Sequence, residues 1–174
     1  MTYAKTFLIS LATFICINAI FFLIGYALII GGIENFAYKL KEDPSYILEV
    51  FFGPIYSGTG PEGVLTAAVW YYLYVKIEPG PIILMIGYIV APLLAATLSG
   101  QFGENEKEKI AGWFLTVLIA MLITIIWVPI DLAYIFSDEF AREFILIRVG
   151  SSLIMGFFYS FFALIVPERG KITV

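Results

Sequence analysis

Residues 6–30 read TFLISLATFICINAIFFLIGYALII, a run of 25 residues without one charged side chain. An α-helix rises about 1.5 Å per residue, so roughly 20 apolar residues cross the ~30 Å hydrocarbon core of a bilayer. The run crosses with residues to spare. It also outlasts the roughly 7–15 apolar residues of a secretory signal core, and no small-residue cleavage site accompanies it, so it reads as a retained span.

Three further stretches have the same character. Gly80–Gly100 is opened by Pro79-Gly80-Pro81, a proline start that suits a helix N-terminus. Ile110–Ile130 continues past Asp131 to about Phe136, and Phe144–Val166 is interrupted by Arg148 and stopped by Pro167-Glu168-Arg169. Composition agrees: apolar residues make up 61% and charged residues 14%, against roughly 45–50% and about 25% in soluble globular chains. A water-soluble domain of this length has no interior large enough to hide that much apolar surface.

The stretch Pro44–Ile77 is of another kind. Two shorter apolar pieces, Tyr46–Tyr56 and Gly63–Val75, are divided by Gly53-Pro54 and Ser57-Gly58-Thr59-Gly60-Pro61. They read as two short helices, one re-entrant pair, or one tilted span preceded by a surface helix. Exposed backbone is forbidden in lipid, so the Gly/Pro break belongs at an interface or packed within protein. The fold expected is an all-α multi-pass transmembrane helical bundle: four long spans plus a short Gly/Pro-broken helical element, with four to six crossings in a single membrane domain over residues 1–174.

Charge in the loops bears on orientation. With five crossings, Lys39, Lys41, Lys107, Lys109, Arg169 and Lys171 gather on one side against Lys5, Lys76 and Arg142. With four or six the split narrows to five against four and favours both ends inside. Glu34–Pro44 and Gln101–Lys109 read as solvent loops, the latter holding a solvated charge run from Glu104 to Lys109. Ser137–Arg142 reads as the turn between the last two spans. Trp113 and Trp127, about 21 Å apart on one helix, suit the two interfacial zones of a single span.

Helices associate in lipid where small residues let them approach. Ala91, Ala95 and Ser99 recur every four residues on one span, and Ser152, Gly156 and Ser160 do so on another. These are the expected helix-packing faces. Pro92 lies within the first stripe and is expected to kink its helix unless neighbours serve the freed carbonyl.

Ionised groups at depth are costly and mark candidate sites. Asp131 and Arg148 lie at similar depth on either side of the last turn, where an ion pair would neutralise both. Glu49 and Glu62 flank the Gly/Pro break, and Asn18 sits midway along the first span. Together these five residues form the candidate polar or ligand site.

Several chemistries are excluded by what the chain lacks. With no histidine and one cysteine, Cys16, there is no His-Glu-x-x-His zinc site, no Ser-His or Cys-His pair and no internal disulfide. No catalytic residue, metal site or cofactor is expected, and the chain is not read as an enzyme. Net charge is −4, with no basic stripe for nucleic acid. Few Asn and Gln beside Lys/Glu-dense loops suggest a prokaryotic or archaeal source. The expected partner is the lipid bilayer of the cell membrane, with a homo-oligomer or a larger membrane complex as further associations. Two functional classes follow: a component that binds or transports a small solute or ion, or a non-catalytic accessory subunit of a larger membrane complex.

Overall fold

The computed structural model describes residues 2–42, 44, 46–57, 78–132 and 138–167. Among these the chain is all-helical, with six helices: α1 (Thr2–Ile30), α2 (Ile33–Glu42), α3 (Tyr46–Tyr56), α4 (Pro79–Phe102), α5 (Glu106–Leu132) and α6 (Asp138–Ile165). Four are long and apolar enough to cross a membrane, over Tyr3–Ile29, Pro79–Phe102, Glu106–Trp127 and Ile145–Ile165, and α3 is a shorter apolar helix. By helix length and composition the chain is a multi-pass membrane protein. Its outer surface agrees, with Ile126, Leu146, Phe157 and Phe161 all largely exposed. Side chains of that kind belong against acyl chains. The apolar piece Gly63–Val75 lies outside the described residues.

Contacts along the helices fix their directions. Near the end of α1, Gly25 and Ile29 meet Gly80 at the start of α4: a Cβ on Gly80 would lie 2.8 Å from the Gly25 carbonyl oxygen. One turn and more further along, Gly87 lies against the Phe21 ring. α1 and α4 are therefore antiparallel. At the other end Gly112, early in α5, lies against Thr6 of α1 and Ser99 of α4, and Gly100 lies against the Ala163 backbone near the end of α6. The four long helices thus alternate in direction, and the face on which α1 begins is also the face on which α6 ends. An odd number of crossings would make α1 and α4 parallel. Among the described helices, the opposed directions of α1 and α4 are those expected of the four- or six-crossing arrangement, the one with the narrower charge bias.

Three loop expectations are corrected. Most of Glu34–Pro44 is helical, since α2 occupies Ile33–Glu42. It follows Gly31 and Gly32, whose φ of 79° and 141° lie where only glycine is comfortable. The Gly32 N–H closes α1 on the Ala27 carbonyl at 2.8 Å. Phe36 anchors α2 edge-on to Phe22 and Tyr26, while Tyr38 and Lys39 hydrogen-bond Glu42 and lower its carboxyl pKa. Residues 138–142 are likewise helical, the first turn of α6 rather than a turn between spans. At roughly 42 Å by the helical rise, α6 exceeds the hydrocarbon thickness, which lets its charged first turn emerge from the lipid.

The run Glu104–Lys109 is not simply solvated either, because Glu108 and Lys109 are buried. Asn105 accepts the Glu108 N–H through Oδ1 at 3.0 Å, and Glu108 Oε2 accepts the Glu104 N–H at 3.0 Å. Together they serve two backbone donors at the α5 N-terminus, in the manner of a capping box. Lys109 Nζ reaches the Val166 carbonyl beyond the end of α6 at 3.4 Å, where the helix dipole favours a cation. Asn105→Ala should lower unfolding stability in detergent by about 1 kcal/mol, and no change in melting temperature would show that the cap contributes nothing.

The core joins α1, α5 and α6 through Phe14, Trp113 and Tyr159, whose rings meet edge-on at 6.0 Å in each pair. Trp113 is therefore a core residue and not an interfacial anchor; its indole N–H donates to the Gly156 carbonyl at 3.0 Å. Hydroxyls at depth serve their own helices: Thr13, Thr116, Thr124 and Ser160 each donate to the carbonyl four residues back. α4 runs uninterrupted through the buried Pro92.

Candidate functional site

α3 is the element that does not behave as a span. Its Tyr46 ring meets Tyr26, one turn short of the end of α1, at 5.6 Å. Its backbone at Glu49 and Val50 already touches Asn18, which lies half a turn from Cys16, the midpoint of the span Tyr3–Ile29. Asn18 is also 12 residues, or roughly 18 Å of helix, from Ile30. α3 therefore enters from the face on which α1 ends and reaches about half-way through the hydrocarbon.

At that depth the helix is broken. Phe52 leaves helical geometry (φ −128°, ψ 24°), and Pro54 lies inside the helix. Proline has no N–H, so the carbonyl four residues earlier, Val50, loses its helical donor. Asn18 supplies the replacement. Its Nδ2 donates to the Val50 carbonyl at 2.7 Å and to the Glu49 carbonyl at 3.1 Å, with only 1% of the residue exposed. Two carbonyl acceptors also settle which amide atom is nitrogen. The other atom, Oδ1, is buried and finds no donor among the described residues. An unserved acceptor of this sort costs about 1–3 kcal/mol.

Gly53 makes room for this arrangement. A Cβ there would fall 2.7 Å from the Tyr88 ring and 3.1 Å from Asn18 Nδ2. Tyr88 of α4 donates its hydroxyl to Glu49 Oε1 at 3.4 Å, a long contact. Beyond the break, the Ser57 N–H bonds the Gly53 carbonyl at 2.8 Å and closes the final turn. Tyr56 places its ring 4.4 Å from the guanidinium of Arg148, a residue only 5% exposed. Arg148 lies one turn into the span Ile145–Ile165, and a cation at that depth gains from an aromatic face.

Of the sequence-derived candidates, Asn18 and Glu49 come together on α3, and Arg148 contacts the same helix through Tyr56. Asp131 lies in the last turn of α5, with its side chain outside the described part, and Glu62 is outside the described residues altogether. Ala91, Ala95, Ser99, Ser152, Gly156 and Ser160 are all buried in the bundle. Ser99 Oγ donates to the Lys109 carbonyl at 2.7 Å, tying α4 to α5. Tyr88, Tyr56 and the pairing of Asn18 with the Pro54 break were not anticipated. The clue was present: an interior Gly-Pro in an apolar helix calls for an outside donor, and Asn18 is the amide at mid-span. Among the described residues no group of three His, Cys, Asp or Glu is placed to hold a metal ion.

Fold and site together define an α-helical multi-pass membrane protein with a half-helix broken at mid-depth. No protein-family model matches the chain, and no curated protein and no solved structure matches it.

Proposed function

We propose that this protein is a membrane-embedded component, in the cell membrane, that binds or transports a small solute or ion at the break of α3. The observation that carries this reading is a half-helix that stops at mid-depth and brings Glu49, Asn18 and Tyr88 to one place. A span whose task is to anchor the chain has no use for an interruption there. Irregular backbone at membrane depth is tolerated only where it is packed in protein or lines a cavity. Broken half-helices at the midplane are how secondary transporters assemble substrate and ion sites. The accessory-subunit reading relied on the small-residue faces as docking surfaces. Those six residues are consumed within the bundle of this one chain, so transport is the better supported class.

Ser57 marks the end of the described half-helix and is the place to test for a water path. In a Cys16→Ala background, Ser57→Cys in sealed vesicles should react with a membrane-impermeant charged maleimide from one face only. We expect a rate within about tenfold of a surface control such as Glu34→Cys. Complete protection from both faces would mean that the break is sealed, and the binding or transport reading would then fail.

A further inference from the structure

We propose that α2 is an interfacial helix, lying along the membrane surface on the face where α1 ends, with its apolar edge in the headgroup–acyl boundary of the bilayer. The partner this surface fits is lipid, held by apolar contact and without preference for anionic headgroups. The inference is independent of what the break of α3 binds.

The order of residues provides the first argument. At 3.6 residues per turn Phe36, Ala37 and Leu40 fall on one face of α2, and Asn35, Tyr38, Lys39 and Glu42 fall on the opposite one. Ten residues, about 15 Å of helix, are half of what a crossing needs. A helix with so charged a face and so short an apolar stripe belongs to the class that lies in the interface. Depth provides the second argument. The Phe36 ring, at the middle of α2, meets Phe22 at 6.1 Å and Tyr26 at 5.6 Å. Those residues precede Ile30 by eight and four positions, or roughly 12 and 6 Å of helix. The chain resumes at the same level, because Tyr46 at the start of α3 also meets Tyr26 at 5.6 Å. A helix tied to that level at its middle, and followed by a helix that starts there, runs along the surface instead of standing out into water.

The protein covers the apolar face only in part: Phe36 and Leu40 are half-buried, and Ala37 is exposed. What covers the rest is indicated by the neighbouring surface. Leu28 and Ile29, in the last turn of α1, are exposed to the acyl chains. A groove lined by Leu23, Ile24, Ala27, Leu28, Gly31 and Gly32 carries that surface to the elbow from which α2 leaves. The uncovered edge of α2 therefore continues a surface already given over to lipid. Charge decides which lipid. Within α2, Glu34 and Glu42 balance Lys39 and Lys41, and Lys39 is paired with Glu42 at 3.2 Å. A balanced face has no net attraction for an anionic membrane surface, in contrast to a polybasic segment.

The test places a nitroxide on the full-length chain, at Ala37→Cys or at Asn35→Cys in a Cys16→Ala background, reconstituted in phosphatidylcholine vesicles. Electron paramagnetic resonance then compares collisions with oxygen, which concentrates in lipid, and with a water-soluble nickel chelate. The oxygen-to-nickel ratio should be several-fold higher at position 37 than at position 35. Replacing part of the phosphatidylcholine with phosphatidylglycerol should leave both ratios unchanged. Equal access of nickel to the two positions would put α2 in water and overturn the proposal. Exclusion of both reagents from position 37 would also overturn it, since protein would then cover the edge. A high ratio at position 37 that requires phosphatidylglycerol would overturn the apolar mode of attachment. Should labelled Ala37→Cys not reconstitute, Leu40→Cys, on the same face, gives the same reading.

Discussion

Asn18→Leu is expected to destabilise the protein by about 3 kcal/mol, measured as reversible unfolding in mild detergent. Leucine matches the amide in volume but donates nothing, so the Val50 and Glu49 carbonyls lose the hydrogen bonds that Asn18 Nδ2 provides at 2.7 and 3.1 Å. Each buried carbonyl left unserved costs about 1–3 kcal/mol. The deleted Oδ1 returns part of that cost, since it finds no donor among the described residues. Asn18→Asp should be worse still, because it turns oxygens towards two carbonyl oxygens. The decisive comparison is a double-mutant cycle. Pro54→Ala restores an N–H four residues after Val50, so in that background Asn18→Leu should cost at least 1 kcal/mol less. Strict additivity would show that the amide and the proline act independently and that the proposed splint does not exist.

The second large effect concerns helix approach. Gly100→Leu should disrupt the bundle, costing upwards of about 3 kcal/mol or abolishing recovery of a monodisperse protein. A Cβ at Gly100 collides with the Ala163 carbonyl oxygen and comes within 3.0 Å of the Ala163 carbonyl carbon and Cα. These atoms are backbone and have no rotamer through which to yield. Gly150 provides the contrast: it has nothing within 4 Å of a built Cβ. Gly150→Ala should be neutral or stabilising by up to about 1 kcal/mol, the ordinary helix-propensity gain. Size-exclusion profiles and melting curves of the two variants test both statements. Equal behaviour would mean that α4 and α6 are not in backbone contact.

The long spans were legible because hydrocarbon imposes a simple demand, some 20 apolar residues in a row, that needs no knowledge of neighbours. Their ends were less so. Ile33–Glu42 and the turn Glu106–Lys109 carry charge and were read as loops, whereas charged residues are what a helix terminus uses to serve its free N–H and C=O groups. Glu108 is buried for that reason, as half of the Asn105 cap. At the site, Asn18 and Glu49 stood out as polar residues within apolar runs. Their meeting did not, because residue 18 and residues 49–50 are joined only through the tertiary register of α1 and α3. Tyr88 was hidden by abundance, one of 11 tyrosines, and nothing local distinguishes a phenol facing Glu49 from one facing a headgroup. Trp113 failed for the related reason that spacing along one helix says nothing about which face is covered.

The seam between α1 and α4 bears on how this molecule is able to move. Where Gly25 and Gly80 meet, the two backbones approach closely, with Leu84 and Ile29 packed over the glycines. Such a joint acts as a fixed frame, not a bearing. α3, by contrast, meets its neighbours through side chains: Leu48, Phe52 and Ile55 are buried in the core, and Asn18, Tyr88 and Arg148 contact it along its length.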